Sequence, residues 1–297
     1  MNTIPVDFKA GYAAIIGLPN SGKSTLLNSL LDIKLSITSS KPQTTRRRIL
    51  GILNTENEQV VFIDTPGLLK PRYGLQEKMM QQVNSALEDA DLLIVIVDAS
   101  AKIHPVGIEL ARINPANLPV LLLLNKIDLI EKKEILKLID IYKESFPFKA
   151  IIPISALKND GLENVKKELF NLLPFNPPHY PPDSLTDHPE RFFVAEIIRE
   201  KIFEKFSQEI PYSTDVVVEE FKERDKGKDF IYAVIFVERN SQKGILIGKG
   251  GEALRKIGAL ARKEIENLLG RNVYLDLRVK VNENWRRDES KLKRLGY

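Results

Sequence analysis

Apolar residues in the first 175 positions gather into short blocks at 12–16, 47–53, 59–63, 92–97, 120–124 and 150–154. Each block stops at a Gly, Asn, Asp or Ser. Runs of this length without strict alternation fit strands buried on both faces, which is the environment of a mostly parallel sheet covered by helices. Only residues 54–58 separate the second block from the third, too few for a helical crossover, so one of that pair must run antiparallel.

The pattern changes after Leu173-Pro174-Phe175-Asn176-Pro177-Pro178-His179-Tyr180-Pro181-Pro182. Proline at that density blocks helix and strand and reads as an interdomain spacer. Beyond it, Ile197, Ile198, Ile202, Phe203 and Phe206 recur at helical spacing over 196–208. Two β-rich runs, 214–221 and 230–237, flank the charged turn 224–228, and the segment 244–251 and a helix over 252–269 precede a strand over 273–281. The order α-β-β-α-α-β predicts a second, α+β domain. The expected division is a first domain over 1–175, a linker over 176–190 and a second domain over 191–297.

Chemistry enters at Gly17-Leu18-Pro19-Asn20-Ser21-Gly22-Lys23-Ser24, which fits G-x-x-x-x-G-K-[ST] between a predicted strand and a predicted helix beginning near Thr25. Glycines at both ends let backbone N–H groups turn inward around a phosphate, and the helix N-terminus adds positive dipole. Lys23 is expected to reach the β- and γ-phosphates, and the Ser24 hydroxyl to ligate Mg²⁺. Asp64, in Asp64-Thr65-Pro66-Gly67, is delivered by a strand to the metal side, where it can hold Mg²⁺ through water. Gly67 can bring its N–H close to the γ-phosphate because it lacks Cβ. In Lys41-Pro42-Gln43-Thr44-Thr45-Arg46 a threonine completes the metal shell, Thr45 foremost and Thr44 the alternative.

The base is read elsewhere. Asn125-Lys126-Ile127-Asp128 follows the block at 120–124, and an Asp128 carboxylate can accept from both the ring N–H and the exocyclic amine of guanine. Adenine offers neither donor in that arrangement, and a site built to pair polar groups rejects the wrong partner strongly. Asn125 is expected to join the ring edge to the phosphate loop, and the Lys126 stem to lie along the base. Ser155-Ala156-Leu157 closes the pocket, with the Ala156 N–H expected at the guanine carbonyl. Together these segments point to GTP and GDP. Lys23, Thr45 and Gly67 are the residues expected at the phosphoryl transfer.

In the second domain, Gly248-Lys249-Gly250-Gly251 is framed by Ile245 and Ile247 and followed by an amphipathic helix carrying Arg255 and Lys256. The turn resembles the GXXG loop of a type II KH domain, where nucleic-acid backbone approaches protein backbone. Charge is uneven in the same sense. Residues 181–238 carry 8 Lys and Arg against 14 Asp and Glu, whereas 239–297 carry 15 against 7. Positive charge concentrated there is the footprint of a phosphate-backbone binder. Trp285, the single tryptophan, reads as a core anchor before a base-stacking platform.

The ordered motifs resemble those of the Era family of bacterial GTPases, a P-loop GTPase domain joined to a C-terminal KH domain, and the likeness covers the whole chain. No second P-loop occurs, unlike in the double-GTPase relatives. The resemblance implies slow GTP hydrolysis with Mg²⁺, binding to the 3′ end of small-subunit ribosomal RNA, and a part in 30S assembly as a monomer. It also admits peripheral association with the cytoplasmic face of the cell membrane. One departure matters: Leu68 follows Gly67 where many GTPases carry a water-orienting glutamine. A second reading therefore stands beside the switch, that of an RNA-binding scaffold for which GTP is a structural ligand and hydrolysis incidental.

Exclusions complete the picture. With no cysteine, disulfides and thiolate chemistry are ruled out. His104, His179 and His188 have no ligand spacing. No apolar run approaches the length of a bilayer span and no signal peptide is evident, so a cytoplasmic location is expected.

Overall fold

The computed structural model describes residues 7–102, 113–114 and 117–297. The chain divides into two compact units, one of residues 1–36, 45–70 and 79–187, the other of 37–44, 71–78 and 188–297.

The first unit is built on a six-stranded sheet: β1 (Lys9–Ile16), β2 (Ile49–Asn54), β3 (Glu58–Asp64), β4 (Leu92–Asp98), β5 (Val120–Asn125) and β6 (Ala150–Pro153), in the order β2-β3-β1-β4-β5-β6. All neighbours are parallel except β2 with β3, which pair antiparallel with Ile49 opposite Asp64. The short connection at 55–57 dictates that hairpin. β4 and β5 are buried along almost their whole length, as strands covered on both faces require. Among the described residues its helices are α1 (Lys23–Leu31), α2 (Gly74–Asp89, of which this unit holds residues 79–89), α3 (Lys132–Ser145) and α4 (Leu162–Leu172). α3 starts with a capping box between Glu131 and Glu134.

The proline-rich segment is no free spacer. Gln59, fully buried on β3, accepts the N–H groups of His179 (2.7 Å) and Tyr180 (3.0 Å) and donates to the Tyr180 carbonyl (2.8 Å). The Ile52 N–H donates to the Leu185 carbonyl at 2.9 Å. Backbone that prolines leave without mutual partners is satisfied against the β2–β3 side of the sheet.

The second unit contains α5 (Glu190–Lys205), α6 (Ile210–Ser213), β7 (Asp215–Lys222), β8 (Asp229–Val237), α7 (Asn240–Ile247), α8 (Glu252–Leu269), β9 (Val273–Val281) and α9 (Glu289–Arg294). Its sheet runs β7-β8-β9, antiparallel then parallel. Val194, Ile198, Ile202, Ile257, Ala261 and Ile265 from α5 and α8 pack on Ile231, Ala233 and Ile235 of β8. Trp285 is fully buried and donates Nε1–H to the Ser213 carbonyl at 3.1 Å, the core anchor expected.

His179 packs against Tyr12 (ring centroids 4.9 Å apart) and His188 stacks on Phe192 (4.0 Å), so both rings serve packing. His104 lies outside the described residues. Among the described residues no helix is long and apolar enough to cross a membrane.

Candidate nucleotide site and nucleic-acid interface

β1 ends at Ile16 and α1 starts at Lys23, which leaves 17–22 as the loop at the sheet's carboxyl end. Such a position, beside a helix N-terminus, is where open α/β sheets bind phosphates. Gly22 holds φ 103°, and a Cβ there would lie 2.1 Å from Asn125 Nδ2. Only glycine fits. Lys23 is 6% exposed and donates Nζ to the carbonyls of Gly17 (3.2 Å) and Leu18 (2.9 Å), which holds the ammonium over the loop. Burial pushes it down to about 8, with Asp64 acting in opposition. Pro19, Asn20 (φ 65°) and Ser21 complete the curl, and Thr25 follows in the first turn of α1. The Ser21 Oγ is buried with no hydrogen-bond partner.

The metal side is built by Ser24, Thr45 and Asp64. Ser24 Oγ lies 2.8 Å from Thr45 Oγ1 and donates to Asp64 Oδ2 at 2.7 Å. Thr44 instead turns its hydroxyl onto the Lys41 carbonyl (2.8 Å), so Thr45 is the threonine brought to this cluster. Burial raises the Asp64 carboxyl, and its Oδ1 is buried without a hydrogen-bond partner. Two hydroxyls and one carboxylate with an oxygen to spare suit a hard cation that keeps waters and substrate phosphates as its other ligands. Mg²⁺ fits that donor set; among the described residues no group of three or more His, Cys, Asp or Glu offers a cage of another kind. Ser36 escaped the sequence reading: its Oγ donates to Asp64 Oδ2 at 3.0 Å, and Asn28 clamps its backbone through two hydrogen bonds. No motif marks it, because its place depends on the side chain of Asn28.

At the base side Asn125 is the tie expected. Its Nδ2 donates to the Ser21 carbonyl at 2.8 Å. Its Oδ1 accepts the Ala156 N–H at 3.0 Å, so that amide, expected at the guanine carbonyl, is held by Asn125. Leu157 is 80% exposed at the rim. Lys126 stands at φ 66° and pairs with Asp98 at 2.6 Å, which fixes its stem. Ser155 Oγ donates to Asp128 Oδ1 at 2.7 Å, and with Lys158 it holds that carboxyl below the usual range.

Gly67 lies against the phosphate loop, where a Cβ would stand 2.7 Å from the Pro19 nitrogen. The next N–H, of Leu68, donates to the Gly17 carbonyl at 3.0 Å, while the Leu68 side chain packs against the apolar core. Leu68 therefore anchors the segment through its N–H and its packing, and its side chain offers no polar atom to a water.

In the second unit, Gly248, Gly250 and Gly251 all take positive φ and turn the chain from α7 to α8. Lys249 and Gly250 are exposed at the tip, and a Cβ on Gly250 or Gly251 would meet nothing within 4 Å. Arg255 folds back to donate to the Gly250 carbonyl (2.7 Å), and Lys256 pairs with Glu252 (2.6 Å). Beside the turn is a cleft lined by Ile247, Leu254, Leu277, Tyr232, Lys243 and Arg278. Ile247 lines it; Ile245, two residues away on the same helix, is half exposed and does not. Leu277 was missed, although the alternation Leu275-Asp276-Leu277-Arg278-Val279 marks it as part of the apolar face of β9, while Arg278, at an alternate position, carries no such signal. Arg286, one of the basic residues counted over 239–297, pairs with Glu238 and lies 5.2 Å from the Tyr73 ring centroid.

Comparison with known proteins places both halves. The family model of the 50S ribosome-binding GTPase matches residues 12–126, and the KH domain model matches 209–286. The chain is 49% identical to the GTPase Era of Geotalea uraniireducens over 98% of each sequence. It is 46% identical to the chloroplastic GTPase ERA1 of Zea mays over 97% of this chain and 70% of that one. A variant of Aquifex aeolicus Era bound to GDP.AlF4⁻ superimposes with a TM-score of 0.94 at 41% identity, over 98% of this chain and 99% of that one. Era in complex with MgGDPNP and nucleotides 1506–1542 of 16S ribosomal RNA does so at the same TM-score and 42% identity, with the same coverage. Fold and site thus define a P-loop GTPase with a C-terminal KH domain. The chain belongs to the Era family of GTPases.

Proposed function

We propose that this GTPase binds GTP and GDP with Mg²⁺, binds the 3′ end of small-subunit ribosomal RNA through its KH cleft, and acts in 30S assembly. The observation that carries the reading is the convergence of Thr45 (2.8 Å) and Asp64 (2.7 Å) on the Ser24 hydroxyl, because Thr45 arrives on a segment separate from the phosphate loop. A site that needs such a segment to complete it responds to what occupies it. The solved Era complex with 16S nucleotides 1506–1542 supports the choice of RNA.

Ser24, Thr45 and Asp64 would hold Mg²⁺, which supplies neutralisation of phosphate charge when bound. The chain's own contribution is positional. Lys23, fastened to Gly17 and Leu18, places a fixed cation at the β- and γ-phosphates. Asp128, set by Ser155, selects guanine, and Asn125 transmits the base-side position to the loop through Ser21. Leu68 cannot orient the attacking water by hydrogen bonding, which gives a slow intrinsic rate. The protein acts as a monomer in the cytoplasm, and family likeness admits peripheral contact with the cell membrane.

RNA affinity measured with GDP and with a non-hydrolysable GTP analogue tests the switch. A difference between the two supports it. Equal affinities would leave the scaffold reading, since a ligand cannot shift states to which it binds equally.

A further inference from the structure

Asn28 sits inside α1, where asparagine is a poor helix former because its amide competes with the backbone. Its side chain is engaged outside the helix. Oδ1 accepts the N–H groups of Leu35 (3.0 Å) and Ser36 (2.8 Å), and Nδ2 donates to the Ser36 carbonyl at 2.7 Å. The backbone of Ser36 is thus held on both sides by one amide. Asn28 lies four residues after Ser24, so the two project from the same face of α1, one turn apart. The helix that carries the metal-side hydroxyl therefore also carries the clamp on Ser36.

Ser36 is 1% exposed and donates Oγ–H to Asp64 Oδ2 at 3.0 Å. The Ser24 hydroxyl donates to the same oxygen at 2.7 Å. Both lone pairs of Oδ2 are taken, whereas Oδ1 of this buried carboxylate has no hydrogen-bond partner. A carboxylate held by a single bond keeps rotational freedom, because its last torsion has a broad well. Two donors from separate segments on Oδ2 remove that freedom and leave Oδ1 as the acceptor for a water of the metal's shell. We propose that Ser36 is a positioning residue: clamped by Asn28, it sets the Asp64 carboxylate for Mg²⁺. Ser24, Asn28, Ser36 and Asp64 all belong to one compact unit. The proposal rests on the reading of Asp64 as a metal-side residue given above.

Three full-length variants test it: Ser36→Ala, Asn28→Ala and Asp64→Asn. Each is titrated calorimetrically with a non-hydrolysable GTP analogue, once with Mg²⁺ and once in EDTA, and is melted without nucleotide. The ratio of the two affinities reports what the metal adds. Ser36→Ala should lower that ratio by about ten- to a hundredfold, the scale of losing a group that orients a metal's ligand. Its affinity in EDTA should stay within about twofold, because the Lys23 and base-side contacts do not involve Ser36. Asn28→Ala leaves the Ser36 and Asp64 side chains in place and should lower the ratio in the same direction, since only the clamp is lost. A wild-type ratio in Ser36→Ala or in Asn28→Ala, with Asp64→Asn impaired, overturns the proposal and leaves the reading of Asp64 standing. Equal loss of affinity with and without Mg²⁺, alongside a lower melting temperature, overturns it in favour of a purely structural role. A wild-type ratio in Asp64→Asn removes the reading of Asp64 and the proposal with it.

Discussion

Asn125 donates its side-chain amide to the Ser21 carbonyl at 2.8 Å, across 104 residues of sequence. With its Oδ1 on the Ala156 N–H, this one side chain joins the phosphate loop to both base-side segments. Gly22→Ala would drive a Cβ to 2.1 Å from that amide at φ 103°. Nucleotide binding should be abolished. Asn125→Ala should be milder, weakening GDP by ten- to a hundredfold, about 1–3 kcal/mol for the buried groups left unpaired. Titration calorimetry on both folded variants distinguishes them, and wild-type affinity in Gly22→Ala is the outcome that contradicts the geometry.

Asp128→Asn should exchange base preference. The amide presents a donor to a ring nitrogen that also donates in guanine, whereas xanthine offers an acceptor at the exocyclic position. GTP affinity should fall by roughly a hundredfold or more while xanthosine triphosphate affinity rises. Competition binding with the two nucleotides measures the exchange, and undiminished GTP binding would assign base recognition to other residues.

Proton linkage should appear at Lys23. Its ammonium is pushed down to about 8 from 10.5 by burial, so between those values the side chain is neutral and must take up a proton to meet a phosphate. The cation is half present near pH 8 and nearly complete about one unit below it, so affinity for the triphosphate should fall as pH rises through that value, by up to about tenfold per unit. Calorimetry in buffers of different ionisation enthalpy, run between pH 7 and 9, should show proton uptake only at the alkaline end. Uptake that is absent throughout would mean that Lys23 is charged across the range.

Lys249→Asp with Gly250→Asp should block RNA binding by placing carboxylates where phosphates approach. Gly250 has φ 58°, a region that aspartate tolerates better than most residues, and open space around it, so the fold should survive. GDP affinity should be unchanged. Wild-type binding should favour single-stranded over duplex RNA and weaken with salt. A folded double variant that binds single-stranded RNA as wild type does would move the RNA site away from the GXXG turn.

Most of the architecture was legible in the chain because its signals are local. Apolar blocks ending at Gly, Asn, Asp or Ser mark buried strands, and five residues between two of them force a hairpin. The G-x-x-x-x-G-K-[ST], Asn-Lys-x-Asp and Gly-Lys-Gly-Gly spacings fix which backbone turns must occur. Tertiary structure alone decided between neighbours that a pattern treats as equal. Thr44 and Thr45 are adjacent hydroxyls, and only the turn closed on Lys41 sends one inward to Ser24 and the other back along the chain. Ile245 and Ile247 share a helix, but two residues are about 200° of rotation, so one alone meets the cleft. Arg286 adds to the positive count over 239–297, yet it pairs with Glu238, 48 residues earlier in the chain. Spacing along a chain determines what a segment can form; which side chain meets a distant partner is set by packing that no local pattern contains.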